Sequence, residues 1–223
     1  MNMLARWRIE RALAALRQSD LSLLQDYANA AWPSANTPAS EAHFLALDFE
    51  LDGLRKGAHL LQAGWTPFTA GGITFQNARS LDIRSDATLN REAVTVHGIG
   101  EDRASAGLPI GKVAEELLTA LAGRVIVAHA AAIEVTAIKE AAKSLYNVNL
   151  PVRSICTLRL EKHIHPGNFG ADAYRLGPTR ERYGLPEYRA HDALTDAIAA
   201  AELFQAQLTR LSPDVTLGWL EAI

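Results

Sequence analysis

The chain has 223 residues, 48% of them hydrophobic, which suffices for one large domain or two small ones and excludes a long disordered polymer. Its net charge of −3 and pI near 6.2 exclude a protein held to nucleic acid by bulk positive charge, so any such contact must be local or carried by metal ions. A lone cysteine, Cys156, excludes an intrachain disulfide and a cysteine zinc cluster, and no run approaches the ~20 apolar residues of a membrane span. The first twenty residues interleave Arg and Glu with apolar residues, unlike the unbroken core of a signal peptide. A cytoplasmic protein without a membrane partner is expected, since a single thiol suits a reducing compartment.

Residues 3–30 carry apolar side chains at helical spacing (Leu4, Trp7, Ile9, Leu13, Leu16, then Leu21, Leu23, Leu24, Tyr27), and Asp20 is a candidate cap for a second helix. WPSANTPAS (32–40) has the composition of a linker. Residues 1–40 therefore read as a helical extension, 41–210 as the main domain and 211–223 as a tail. HFLALDFEL (43–51) is apolar almost throughout, the pattern of a strand buried on both faces, and further strands are predicted at 58–66 and 72–76. Residues 77–110 read as an irregular connection. A helix is predicted at 111–122, ended by Gly123, then a strand at 124–129, a helix at 131–145 and a strand at 150–158. Residues 161–172 look loop-like, and helices near 173–184 and 192–210 close the domain. Strands in series followed by alternating helix and strand imply an α/β fold with a mixed sheet covered by helices.

Asp48 and Glu50 lie two apart in the first strand, so both point to one face. Buried carboxylates are costly unless neutralised, and a divalent cation such as Mg²⁺ or Mn²⁺ does this; the alternative is a strand end whose acids reach solvent. Glu134 falls one turn into the helix after 124–129, where it can point back to the strand ends or merely complement the helix dipole. His129 beside it reads as a structural histidine or a ligand. Asp192 is a good N-cap, with His191 just outside the last helix and Asp196 one turn inside it. Histidine is suited to deprotonating water near neutral pH.

Taken together, strand-borne D-x-E, an acid on a helix roughly eighty residues later and H-x4-D at a helix start form a specific pattern. It resembles the DEDDh family of 3′→5′ exonucleases, which includes the proofreading epsilon subunit of bacterial DNA polymerase III. DFELDGL (48–54), VHGI (96–99), GRVIVAHAAAIE (123–134), SICTLRL (154–160) and YRAHDALTDAIAAAELF (188–204) carry the resemblance, which spans about residues 42–210. It implies an RNase H-like fold with a mixed five-stranded sheet. It also implies two divalent metal ions, Mg²⁺ or Mn²⁺, held by Asp48, Glu50, Glu134 and Asp196, with His191 as general base. Phe49, Leu51, His97 and His129 are the candidate substrate contacts, the first three by packing on the terminal base and sugar. Single-stranded 3′ ends of DNA or RNA are the expected partners.

Two departures stand out. The family's second-motif acid is usually Asp, here Glu134, and Leu51-Asp52 replaces the usual Thr-Thr. Asp52 is expected to oppose a substrate phosphate unless it faces away. Arg153, Arg159, Lys162, Arg175, Arg180, Arg182 and Arg189 outnumber the acids of 151–190 and are candidate phosphate contacts. QSDLSLL (18–24) faintly resembles peptides that dock on sliding clamps, yet it reads as helix, so packing on the main domain or across a homodimer is the stronger expectation. A polymerase-bound proofreading subunit and a nucleic-acid-end binding module with a weakened site are the alternatives; the first lacks a long polymerase-binding tail after residue 210.

Overall fold

The computed structural model describes residues 3–53, 58–167, 170 and 172–223. Helices α1 (Met3–Leu16) and α2 (Ser22–Asn29) come first, then strands β1 (Phe44–Leu51), β2 (Leu60–Thr69), β3 (Gly72–Ile73) and β4 (Arg79–Asp82). Helices α3 (Arg91–His97), α4 (Glu101–Ser105) and α5 (Ile110–Leu121) lead to β5 (Val125–Ala128) and α6 (Ala132–Tyr146). The chain continues through β6 (Ser154–Cys156), α7 (Thr157–Ile164), α8 (Leu176–Arg182), α9 (Ala193–Leu208) and α10 (Leu217–Leu220).

The sheet is mixed, as expected. β1 runs antiparallel to β2 and parallel to β5, and β6 extends the parallel side. β3 pairs with Phe68 and Thr69 of β2, and β4 pairs with Gln62 to Trp65 along that strand's same outer edge. The sheet therefore has six strands but is five positions wide. β4 lies inside the stretch that reads as an irregular connection. RSLD is short, polar and half exposed, so it has no hydrophobic alternation of its own and is a strand only because β2 pairs with it.

Alternation along β1 divides the core. Leu45, Leu47 and Phe49 pack with α1, α2, α5 and α6. Phe44 and Ala46, on the other face, pack with Ala197, Ala201 and Phe204 of α9. Asp48 and Glu50 continue this second face, where the apolar row gives way to acids at the strand's C-terminal end.

Several expected boundaries move: β3 ends at Ile73 rather than at 76, α8 spans Leu176–Arg182 rather than 173–184, and the expected connection 77–110 also holds α3 and α4. β6 spans only Ser154–Cys156, and α7 starts at Thr157, taking in the first residues of the expected loop; the remainder of that loop is only partly within the described residues. Asp20 does not cap α2: the N-cap position is Leu21, without a side-chain cap bond, and the Ser19 hydroxyl accepts from Leu21 N–H in the turn before the helix. The extension and tail are also not loose. Tyr27 is buried and donates its hydroxyl to Pro151 C=O at 2.7 Å. Residues 35–39 hydrogen-bond to 215–218, through Ala39 N–H to Val215 O at 2.9 Å and Leu217 N–H to Thr37 O at 3.0 Å. Buried Arg153 joins Glu221 at 2.7 Å and also meets Pro33 O. Proline- and serine-rich composition signals a segment without regular structure, not one without partners. QSDLSLL is likewise folded in, with Leu24 fully buried and residues 22–29 helical.

Candidate active site

One carboxylate oxygen from each of Asp48, Glu50 and Asp196 lies within 4.8 Å of the others. β1 supplies the first two acids. The third comes from the first turn of α9, which crosses the same sheet face. Gly64 of β2 sits opposite Asp48, and a Cβ there would fall inside the backbone of Ala193 and Leu194. Its neighbour Gln62, opposite Glu50, accepts from Ala193 N–H at 3.0 Å and so satisfies one of the orphan donors that open a helix. A strand glycine marks close backbone approach, and here it lets the start of α9 reach β1 and β2. Neither Gln62 nor Gly64 stands out in the sequence.

Asp192 caps α9 as its position predicts, accepting from Thr195 N–H at 3.1 Å. Asp196 Oδ2 accepts from the backbone N–H of His191 at 2.6 Å and of Asp192 at 3.2 Å, while Oδ1 accepts from the Tyr188 hydroxyl at 2.9 Å. His191 has φ of 66°, a left-handed conformation rare outside glycine, and its side chain is exposed beside the acids. Tyr188 is a site residue that the motif spacing does not reveal.

Glu134 reaches the sheet end from the first turn of α6. It is 2% exposed, and its Oε2 has no hydrogen-bond partner among the described residues. Burial pushes its carboxyl up to about 8, against the opposing pull of its own backbone N–H. Burial, then the charges of Asp196 and Asp192, pushes Glu50 up to about 7. Asp48 is raised well above the usual carboxylate range by burial and then by repulsion from Glu134, Asp196 and Glu50. Asp196 is raised by burial despite its hydrogen bonds. Four carboxyl groups raised by burial, two of them also by neighbouring carboxylates and one with an orphaned buried oxygen, form a donor set suited to hard divalent cations.

His97 ends α3 and is 8% exposed. Its Nδ1 accepts from Ile99 N–H at 3.0 Å, which assigns the ring proton to Nε2, an atom with no partner among the described residues. Burial, Arg103 and His191 lower its pKa, so the ring is a neutral donor close to His191. Leu51 lines an open groove with Gly53, Ile133, Thr136 and Ala137. Asp52 has a structural partner of its own and lies near enough to His97 to act on its charge. It is fully buried, and Oδ1 accepts from His59 N–H at 2.8 Å, closing the turn between β1 and β2. Leu54, the last residue of the first motif, lies outside the described residues.

Two candidate substrate contacts are corrected. Phe49 is 7% exposed and belongs to the core on the face opposite Asp48 and Glu50, as strand alternation dictates. His129 commits both ring nitrogens within the protein, Nδ1 to Thr157 Oγ1 and Nε2 to Tyr174 O, each at 2.9 Å. Burial lowers its pKa to about 4, so it is neutral and ties the end of β5 to α7 and to the segment before α8. Several candidate phosphate contacts also have internal work. Arg153 pairs with Glu221, Arg180 with Glu202, and Arg182 with fully buried Glu161. Arg159, Lys162, Arg175 and Arg189 remain exposed, Arg175 in a surface pair with Asp172.

The exonuclease family model RNase_T matches residues 45–204. A 176-residue stretch is 26% identical to the PolC-type DNA polymerase III of Thermotoga maritima and covers 77% of this chain but 12% of that polymerase. Among solved structures, E. coli Exonuclease I in complex with a dA16 oligonucleotide aligns with a TM-score of 0.66 at 14% identity, over 76% of this chain and 41% of that one. The nuclease domain of 3′hExo, a DEDDh family member bound to rAMP, aligns with a TM-score of 0.63 at 12% identity, over 78% and 94%. Exonuclease X in complex with 5′ overhanging duplex DNA aligns with a TM-score of 0.58 at 22% identity, over 74% and 91%. The sheet and its helices thus have the RNase H-like exonuclease fold, and with its family match spanning most of the residues from β1 to α9, this chain belongs to the exonuclease family.

Proposed function

We propose that the chain is a metal-dependent 3′→5′ exonuclease that releases nucleoside monophosphates from the 3′ ends of DNA or RNA. The observation that carries this reading is the convergence of Asp48, Glu50 and Asp196 within 4.8 Å beside the orphaned carboxylate of Glu134. Asp48, Glu50, Glu134 and Asp196 would hold two divalent ions, Mg²⁺ or Mn²⁺. Such ions, when bound, lower the pKa of a water and offset charge on the departing oxygen.

His191 is the general base. Its exposed imidazole accepts the proton of the attacking water, whose oxygen bonds to phosphorus as the bond to the 3′ oxygen of the preceding nucleotide breaks. That oxygen takes a proton from solvent and becomes the new 3′ hydroxyl. The Nε2–H of His97 is a donor for the terminal nucleotide, and Leu51 provides an apolar contact for its sugar or base. Exposed Arg159, Lys162, Arg175 and Arg189 are the remaining candidates for backbone phosphates. No helix among the described residues is long and apolar enough to cross a membrane.

The test is incubation with 5′-labelled single-stranded DNA and RNA in Mg²⁺, Mn²⁺ or EDTA. A ladder shortening from the 3′ end, abolished by EDTA and by Asp48→Ala, is expected. No shortening with either metal would leave only an end-binding module. The similarity to a segment of a PolC-type polymerase favours a second reading, proofreading in company with a polymerase. Faster removal of a mismatched than a paired 3′ nucleotide would support it.

A further inference from the structure

Asp196 is held by three donors, and their distribution leaves its two oxygens unequal. Oδ2 accepts from two backbone N–H groups, of His191 and Asp192, which occupy both of its lone pairs. Among the described residues Oδ1 accepts only from the Tyr188 hydroxyl and keeps one lone pair. Tyr188 lies in the non-helical stretch between α8 and α9, so its ring needs an anchor. Arg180 supplies it. The guanidinium carbon stacks 4.9 Å from the Tyr188 ring centroid, and the side chain is only 2% exposed. Its Nη1 donates to Ala199 O at 2.7 Å, and its Nη2 meets Pro186 O at 3.1 Å and Glu202 at 2.7 Å. A buried cation, tied at several points to α9 and to the preceding loop, thus holds a phenol against a candidate metal ligand.

We infer that Tyr188, held by Arg180, is a positioning residue that fixes the Asp196 carboxylate so that Oδ1 alone is presented to a divalent cation. The inference rests on the reading of Asp196 as a metal ligand. Partners that orient a metal-binding carboxylate contribute substantially to affinity, and their loss weakens binding about 10- to 100-fold. Arg180, whose charge suggests a phosphate contact in the sequence, acts here through the tyrosine.

The experiment is calorimetric titration of the metal-free full chain with Mn²⁺ alone, for wild type, Tyr188→Phe and Asp196→Ala, with a thermal melt of each in EDTA. Tyr188→Phe keeps the ring on Arg180 and removes only the hydroxyl. Its melt is expected to match wild type while its Mn²⁺ affinity falls about tenfold. Half-activating Mn²⁺ for 3′-end cleavage rises by the same factor, with the rate at saturating Mn²⁺ kept. Unchanged or tighter Mn²⁺ binding in Tyr188→Phe, alongside loss of binding in Asp196→Ala, overturns the inference and leaves the metal site standing. A lowered melt, with a rate that saturating Mn²⁺ does not restore, makes Tyr188 a packing residue and also overturns it. No Mn²⁺ binding by wild type removes the metal reading and this inference with it.

Discussion

The backbone of Ala193 occupies the space that a side chain on Gly64 would fill. This contact lets α9 descend onto β1 and β2 and bring Asp196 to the acids of β1. Gly64→Ala is therefore expected to push the start of α9 away from the sheet. Overpacking of this kind costs about 1–3 kcal/mol, and the thermal midpoint should fall by several degrees. The cleavage rate should fall further, because Asp196 moves with the helix. A variant with wild-type melting and rate would show that the helix is held elsewhere.

Phe49 and Leu51 are neighbours with opposite fates. Phe49→Ala empties a core position and is expected to cost about 3–5 kcal/mol, read in denaturant or thermal unfolding. Leu51→Ala, at the edge of the open groove, should change stability little and raise KM for oligonucleotides. Equal effects of the two on KM would restore Phe49 as a substrate contact.

The raised carboxyl pKa values fix the sign of a pH effect. With Glu50 near 7 and Glu134 near 8 in the folded, metal-free chain, the folded state binds more protons than the unfolded state above the ordinary carboxylate range. Stability of the metal-free protein is then greatest in mild acid and is lost as pH rises through 7 and 8. Mn²⁺ binding requires the ionised acids, so its stabilisation should grow over the same interval. Melting in EDTA and in Mn²⁺ across pH 5–8.5 is the measurement. A metal-free midpoint that climbs with pH would contradict the burial of these acids.

Asp48 repels its neighbours in the absence of metal, so Asp48→Ala is expected to abolish cleavage yet raise the midpoint in EDTA. His191→Ala differs. It removes an exposed imidazole while keeping the backbone N–H that Asp196 uses, so cleavage should fall about 10²- to 10⁴-fold with Mn²⁺ affinity nearly unchanged. Calorimetry beside the cleavage assay separates the two.

Glu134→Asp is expected to retain cleavage, since a carboxylate remains at the proposed metal-binding position. Glu134→Gln should lose it, because the buried oxygen without a partner no longer carries charge. Loss of activity in Glu134→Asp would mean that the extra methylene is needed to span from α6 to the strand end.

The sequence by itself determined which acids and which histidine the candidate site offers and their order along the chain. Asp48 and Glu50 share a face because strands alternate, and Asp192 caps α9 because its side chain satisfies the opening N–H groups. The same alternation, applied strictly, already assigns Phe49 to the opposite face. Only the tertiary structure decided features that depend on residues far apart in the chain. β4 exists because β2 pairs with it, and His129 is structural because Thr157 and Tyr174 arrive at its two nitrogens. Asp52 accepts from His59 N–H across the connection between β1 and β2, and residues 35–39 are fastened by the C-terminal segment. Arg180 and Tyr188 look like surface residues until α8 folds onto α9. Local periodicity and motif spacing record what a residue offers, whereas which partner accepts it depends on distances that only the folded chain defines.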